Sequence, residues 1–244
     1  MEIDARGTTY KALNESLRKA MAHGAKNIVI RNVNGQRYIG TNLQSVVQLE
    51  LHGTPGNDLG AFMDGPDITV HGNVQDGTGN TMNSGSIIVH GHAGDALGLA
   101  ARGGTIIVRD STGYRAGIHM KEYEGVGPRV VIGGGAQDFL GEYMAGGVLA
   151  VLGLSGLSAG KTRARFIGTG MHGGVIYLRG TVESHQLGKE VGVTGLVEED
   201  RAQLGELIAV YCEHFGGSPN EILAGDFIKL FPLYLRPYGR LYAG

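Results

Sequence analysis

The fold of this chain is decided by two stretches that repeat each other, DLGAFMDGPDITVH at residues 58–71 and GTGNTMNSGSIIVH at residues 77–90. Each has a glycine at its third position, then methionine three residues later, then a short aliphatic run. The first four such glycines are 19 residues apart, and two more follow after insertions of 5 and 8 residues. The glycines are Gly60, Gly79, Gly98, Gly117, Gly141 and Gly168, followed three positions on by Met63, Met82, Ala101, Met120, Met144 and Met171. A fixed period of this length is typical of a solenoid.

The aliphatic run of each repeat alternates as a half-buried strand does. Its inward positions, eight and ten residues after the glycine, hold Ile68/Val70, Ile87/Val89, Ile106/Val108, Leu149/Val151 and Ile176/Leu178. In the fourth repeat, an insertion of four residues before the strand would place Arg129 and Val131 there. A rung of about 19 residues is too short for a strand and a full helix. The sequence therefore predicts a mainly β fold, a single-stranded right-handed parallel β-helix of six or more rungs, with the methionines stacked inside its core.

The two ends of the chain read as caps for this solenoid. Residues 1–53 predict an N-terminal cap of helix and strand, with the helix over residues 9–22 and Gly24 after its end. Residues 54–182 form the predicted β-helix. Residues 183–244 predict a C-terminal helical cap and tail, in which a helix over 198–214 carries its acidic residues in the first turn.

Composition excludes several classes of function. The 244 residues include 44 glycines, but these have no Gly-X-Y period, which excludes a collagen. The net charge of −2 provides no positive surface charge of the kind that binds nucleic acid. The one cysteine, Cys212, excludes a disulfide framework and an iron–sulfur cluster held by this chain alone. There is no apolar run of membrane-spanning length, so we expect a cytoplasmic protein that does not contact a membrane.

An apolar strip is predicted on the outer face of the middle rungs, at positions where a solvated strand would be polar. It includes Ile88, Ile107, Val130 and Ile132. Either the chain's own termini or a partner covers such a strip. The insertion before the last rung adds three basic residues. Together these seven residues are the candidate partner interface: Ile88, Ile107, Val130, Ile132, Lys161, Arg163 and Arg165.

Two glycine-rich motifs resemble nucleotide-binding sequences. Residues 168–173, GTGMHG, match the dinucleotide fingerprint, but a strand pattern follows where that fingerprint requires a helix. Residues 155–162, SGLSAGKT, approach the phosphate-binding loop with serine at the first glycine position. We therefore expect neither motif to bind a cofactor.

Histidines recur on the predicted outer face, where His71 and His90 should stack one rung apart, with His92 just beyond. Two imidazoles at that distance could hold a metal if a carboxylate or a third histidine converged on them. The sequence identifies no such partner, and it favours solvated histidines. We expect no catalytic, cofactor-binding or metal-binding residue in this chain.

Five repeat blocks resemble the GXGXG β-helix of glutamate synthase large subunits. They are GNDLGAFMDG (56–65), QDGTGNTMNSG (75–85), GYRAGIHM (113–120), DFLGEYMAGG (138–147) and GTGMHGGVIYLRG (168–180). The leading segments DARGTTYKALNESLRKA (4–20) and NVNGQRYIG (32–40) look like the stand-alone version of that domain. The similarity covers nearly the whole chain.

The resemblance implies a scaffold subunit without catalytic residues of its own, within an oxidoreductase that forms glutamate. Its expected partners are a glutamine amidotransferase subunit and a synthase subunit that carries FMN and an iron–sulfur cluster, in a hetero-oligomer braced beside the ammonia tunnel. The same subunit type serves N-methylglutamate synthase, and a related β-helix is the C-type subunit of formylmethanofuran dehydrogenase. A scaffold outside any enzyme complex is a further alternative. Left-handed β-helix acyltransferases have a period of 18 built from hexapeptides, which this sequence lacks.

Overall fold

A computed structural model of the chain describes residues 1–155 and 162–234. Within these residues eleven strands lie in one sheet. The remaining regular elements there are three α-helices and one 3₁₀ turn (Ser184–Gln186). In chain order the elements are β1 (Glu2–Asp4), α1 (Tyr10–Ala22), β2 (Asn27–Asn34), β3 (Gln48–Thr54), β4 (Asp64–His71), β5 (Ser84–Val89), β6 (Thr105–Val108), β7 (Arg129–Ile132), β8 (Ala145–Val151), β9 (Gly173–Arg179), β10 (Val191–Gly195), α2 (Glu198–Phe215), α3 (Pro219–Leu223) and β11 (Phe227–Pro232). None of the described helices is both long and apolar enough to cross a membrane.

The order of strands in the sheet follows the chain, since each strand from β1 to β8 pairs in parallel with the next one in sequence. At the C-terminal end, β11 pairs antiparallel with both β9 and β10 and closes that side of the sheet. Only β1 and β2 are joined through a helix, α1; from β2 to β9 the described connections between parallel neighbours contain no helix, which is typical of a β-solenoid. The predicted mainly β, helically wound fold is confirmed.

The inside of the solenoid is filled by the inward residues of the strands and by the methionine ladder. Leu49, Ile68, Ile87 and their equivalents on later strands are fully buried in one apolar cluster. The ladder belongs to the same cluster, and no member is more than 1% exposed: Met63, Met82, Ala101, Met120, Met144 and Met171. The predicted burial of the methionines is confirmed.

The register of the fourth repeat differs from the prediction by one residue. In the pairing of β6 with β7, Ile106 lies opposite Val130 and Val108 opposite Ile132. All five inserted residues therefore precede the strand, in a loop that Tyr123 and Val126 close with an antiparallel bridge. Because side chains alternate along a strand, this shift turns Val130 and Ile132 inward and Val131 outward.

The solenoid also begins one turn earlier than the repeat pattern indicated. Gly40 has φ +76°, as the repeat glycines have, and Leu43 stands in the methionine position. The Gly60 N–H donates to the Ile39 carbonyl at 2.8 Å, just as the Gly79 N–H donates to the carbonyl of Leu59. The spacing of 20 residues and the missing methionine hid this turn from the sequence pattern.

Both predicted terminal helices are present, but only α1 packs against the solenoid core at its end, whereas α2 packs on the outer face of the sheet instead of capping the C-terminal end. Helix α1 begins after Thr9, whose hydroxyl accepts from the Ala12 N–H, and it buries Leu13 and Leu17 in the same cluster as the first strands. Helix α2 carries three acidic residues in its first turn, where the helix dipole stabilises negative charge. Its end at Phe215 is followed by Gly216 with φ +79°.

Candidate interaction surface

The apolar strip on the outer face of the sheet is covered by the chain's own helix α2. Ile88 and Ile107 are 4% and 0% exposed, respectively, and lie in a second apolar cluster. That cluster joins outward residues of the sheet to one face of α2 and to Ile222 of α3. Its members are Ile88, Ile107, Val131, Ala150, Leu152, Tyr177, Leu204, Leu207, Ile208, Tyr211, Ile222 and Phe227. Of the two alternatives that the sequence left open, coverage by the chain's own terminus is the one found.

A buried polar network fastens α2 to the sheet. The Tyr177 hydroxyl donates to Asp200 Oδ1 at 2.9 Å, and Lys229 Nζ reaches the same oxygen at 2.6 Å. Burial alone would raise the pKa of Asp200. Hydrogen bonds from Lys229, the Val197 N–H and Tyr177 lower this pKa by more than burial raises it, so the pKa lies below its usual range. Burial, together with the bond to Asp200, raises the pKa of Tyr177. These groups have structural partners and do not face an open cleft.

The predicted partner interface is therefore wrong at its apolar positions. Ile88 and Ile107 lie beneath α2, while Val130 and Ile132 face the solenoid interior. Of the three basic residues, Lys161 falls outside the described residues, and Arg163 and Arg165 are exposed. The Arg165 N–H donates to Asp138 Oδ1 at 2.8 Å, and its guanidinium lies 3.4 Å from Oδ2 of the same carboxylate.

One corner of each turn has an unusual backbone. The repeat glycine and the residues two before and two after it all have positive φ, so left-handed residues alternate with ordinary ones. This triplet recurs in all seven turns: Tyr38/Gly40/Asn42, Asp58/Gly60/Phe62, Gly77/Gly79/Thr81, Ala96/Gly98/Ala100, Arg115/Gly117/His119, Phe139/Gly141/Tyr143 and Phe166/Gly168/Gly170. Alternation of this kind is the physical basis of a G-x-G-x-G sequence pattern, because glycine adopts positive φ without a steric cost.

Only the middle position of each triplet is glycine in every turn, and packing explains this. A Cβ added to Gly141 would lie 2.5 Å from Ile176 Cδ1, and one added to Gly60 would lie 2.8 Å from Ile87 Cδ1. The middle residue thus faces the core, and an added Cβ would lie 3.0 Å or less from a core side chain in six of the seven turns. At Gly98 the nearest atom is 3.4 Å away, so there only the positive φ favours glycine. The outer residues of the triplet face away from the core, so side chains are sterically possible there.

Several of these outer positions hold large aromatic residues that are both exposed and left-handed. Phe62, Tyr143 and Phe166 have φ between 51° and 58° and are 46–50% exposed. A non-glycine residue in this conformation costs about 1–2 kcal/mol. Asn, Asp or Gly would cost less and would not expose an apolar ring. Strain and exposure at the same positions indicate a functional surface.

The aromatic residues of the later turns form two stacked pairs, one before and one after the corner glycines in sequence. The rings of Phe139 and Phe166 stack at 5.0 Å, and those of His119 and Tyr143 stack at 5.3 Å. The guanidinium of Arg115 lies 4.8 Å over the Phe139 ring. We call these five residues, Arg115, His119, Phe139, Tyr143 and Phe166, the aromatic corner.

Charge at this patch is largely paired within the chain. Arg115 Nε lies 3.1 Å from Glu142 Oε2, and Arg165, beside Phe166, pairs with Asp138. This surface therefore presents aromatic rings and not an electrostatic potential of one sign. The sequence contains a signal for this surface, since these residues occupy fixed positions around the repeat glycines, but the pattern of the strands alone does not reveal it.

The motifs that suggested nucleotide binding have structural roles where they are described. Residues 168–173 form the last corner, and the strand β9 follows immediately, so no helix N-terminus is available for a pyrophosphate. Most of SGLSAGKT lies outside the described residues. The predicted stacking of His71 and His90 is confirmed, with ring centroids 4.9 Å apart.

Comparisons with known proteins agree with this architecture. The GXGXG motif family model matches residues 13–236. An uncharacterized protein of Methanocaldococcus jannaschii, MJ1350, is 47% identical over 248 aligned positions, which cover 98% of this chain and 95% of that protein. Among solved structures, a chain of the formyltransferase/hydrolase complex FhcABCD from Methylorubrum extorquens, crystallised with methylofuran, is similar in fold. Its TM-score is 0.57 at 20% identity, over 96% of this chain and 92% of that one.

Proposed function

The chain belongs to the GXGXG motif family, and on that basis we propose that it is a non-catalytic scaffold subunit of a multi-subunit, oxidoreductase-type enzyme complex. One structural neighbour is a chain of a multi-subunit assembly, the formyltransferase/hydrolase complex FhcABCD. A solenoid suits this role, because a continuous sheet with a fully packed interior holds surfaces at fixed distances from one another.

The aromatic corner is the observation that supports this proposal most directly. The left-handed backbone and the exposed rings both raise the free energy of the isolated chain. A partner that covers the rings would offset this free-energy cost. Tyr and Arg are also enriched among the residues that carry most of the binding energy at protein interfaces, and Phe is enriched in interface cores. We assign the aromatic corner as the contact surface for a catalytic subunit.

The finer proposal is a glutamate synthase-type complex. The resemblance of the repeat blocks to the GXGXG domain of glutamate synthase supports it. In this proposal one partner is a glutamine amidotransferase and the other is a synthase subunit that holds FMN and an iron–sulfur cluster. A single cysteine in this chain requires the cluster to be elsewhere.

A second candidate is a subunit of a formylmethanofuran-type complex. The fold similarity to a chain of the formyltransferase/hydrolase complex favours it over the remaining alternatives. The two candidates differ in which catalytic chains this protein binds, so co-purification distinguishes them.

The test is co-expression of the tagged chain with the amidotransferase and synthase subunits of its own organism. We expect a stable complex, and glutamine-dependent glutamate formation that needs this chain. Tyr143→Asn and Phe166→Asn together should weaken assembly at least tenfold, because asparagine tolerates the left-handed backbone but removes the rings. Val46→Ser, at an exposed apolar residue outside the corner, is the matched control.

The outcomes are distinct. If the amidotransferase and synthase assemble and function fully without this chain, the glutamate synthase proposal is wrong. If this chain assembles with them but the double variant binds as wild type does, the corner is not the interface. Capture of formyltransferase or hydrolase subunits instead would favour the second candidate.

A further inference from the structure

The outer face of the sheet is not covered uniformly. Helix α2 lies over outward residues from β5 to β9, and its C-terminal residue Phe215 contacts the His90 ring edge-on, with centroids 5.0 Å apart. The outward residues of β3 and β4 lie beyond that end of the helix. Three of them, Glu50, His52 and His71, remain partly or fully exposed.

Register brings these three side chains together. His52 on β3 and His71 on β4 are direct partners in the parallel ladder, and Glu50 lies two residues before His52 on the same face of its strand. The two imidazole rings stack at 4.7 Å with an angle of 20° between their planes. Their Nε2 atoms lie 2.9 Å (His52) and 3.1 Å (His71) from the same oxygen, Glu50 Oε1.

We propose that Glu50, His52 and His71 form a binding site for a divalent transition metal, and specifically for Zn²⁺. One ligand atom from each residue lies within 4.8 Å of the other two. In a tetrahedral zinc site with bonds of about 2.0–2.1 Å, neighbouring ligand atoms are about 3.3 Å apart. The Nε2–Oε1 separations of 2.9 and 3.1 Å are a few tenths of an ångström below that value, and the two stacked rings would rotate out of their parallel arrangement so that both Nε2 lone pairs point at the same ion.

The ligand set also fits zinc chemically. Two imidazoles and one carboxylate are a known zinc combination that leaves the fourth position open, and neutral imidazole with carboxylate suits Zn²⁺ better than Mg²⁺ or Ca²⁺. Glu50 and His71 line a groove that Thr69, Ile88 and His214 also border. A water molecule or a ligand from this groove can take the open position.

The stacked rings connect the site to helix α2. His71 stacks on His90 at 4.9 Å, and His90 contacts Phe215 at the end of the helix. Zinc would tie β3 to β4 and fix the first ring of this stack. Metal binding should therefore stabilise the folded chain, as any ligand that binds only the native state does.

The experiment uses the full chain with its affinity tag removed, dialysed against a chelator and then titrated with Zn²⁺ by calorimetry. We expect one Zn²⁺ per chain and a rise in Tm on saturation. His52→Ala and His71→Ala should each weaken binding by about a hundredfold or more, since loss of even an outer-sphere partner costs 10–100-fold. Glu50→Gln should weaken binding while it preserves size and hydrogen bonding.

The control is His185→Ala, at an exposed histidine in the 3₁₀ turn. It should bind as wild type does. Co²⁺ provides a second readout, because a tetrahedral site with nitrogen ligands gives visible absorption bands that the His71→Ala variant should lose. The proposal is overturned if wild type binds no Zn²⁺ in the micromolar range, or if the His52 and His71 variants bind as tightly as His185→Ala. Circular dichroism of each variant verifies that the fold is retained.

Discussion

Replacing Gly141 with alanine separates the two reasons for which the middle corner position is glycine. Gly141 has φ +66°, and an added Cβ would lie 2.5 Å from Ile176 Cδ1 and 3.5 Å from Ile176 Cγ1. Gly35 is the matched position, since it has φ +77° and nothing within 4 Å of an added Cβ. Gly35→Ala therefore carries the backbone cost alone, whereas Gly141→Ala carries backbone and overlap costs together.

The magnitudes follow from these two terms. The left-handed backbone costs alanine about 1–2 kcal/mol at either position. Overpacking against a buried side chain adds about 1–3 kcal/mol at Gly141. We expect the free energy of unfolding to fall by about 1–2 kcal/mol in Gly35→Ala and by about 2–5 kcal/mol in Gly141→Ala.

A second-site change tests the overlap directly. Ile176→Val removes the Cδ1 atom that the new methyl would meet, and by itself costs about 0.5–1.5 kcal/mol. In the double variant Gly141→Ala/Ile176→Val the overlap is relieved, so the loss should be about 1–3 kcal/mol smaller than the sum of the single losses. Urea unfolding followed by circular dichroism measures all four proteins. Equal losses for Gly35→Ala and Gly141→Ala, with additive behaviour in the double variant, would refute an inward-facing corner glycine.

Three further predictions concern the two apolar clusters. Met120→Ala should lower the free energy of unfolding by about 2–5 kcal/mol, because its side chain is fully buried, and a loss near zero in urea unfolding would contradict the ladder. Ile107→Lys should unfold the isolated chain or release α2, since it places an unpaired charge beneath the helix; a normal thermal melt would show that the strip is open. Burial, reinforced by the Asp110 carboxylate, raises the pKa of Tyr211 to about 12, above its usual value of 10.0. The neutral Tyr211 hydroxyl therefore contributes fully to the free energy of unfolding below pH 10. As the pH rises towards 12 this contribution is lost, and the free energy of unfolding falls by up to about 3 kcal/mol. Tyr211→Phe should abolish this part of the alkaline loss in urea titrations across that range, and an unchanged pH slope would contradict it.

Much of the fold could be predicted because a solenoid repeats its contacts at a fixed sequence distance. Gly60 to Gly117 and their methionines give period, strand position and inward face without any knowledge of distant contacts. Both terminal helices were predicted to within a residue, since their caps and apolar faces are local signals. The fourth rung was misregistered because the sequence does not show on which side of a strand an inserted residue falls.

The sequence determined by itself which residues line the inside of the regular rungs, because that information lies within a single repeat; it did not do so for the fourth rung, with its insertion, or for the first turn, which lacks the methionine. Tertiary structure alone decided what covers the outside. The outward residues of β5 to β9 meet α2, and Tyr211 donates to the Arg109 carbonyl across 102 residues of sequence. Glu50 and His52 meet His71 because two strands align in register, and Phe139 meets Phe166 because successive corners stack. Such contacts depend on how separate turns and a distant helix pack together, and no local pattern encodes that packing.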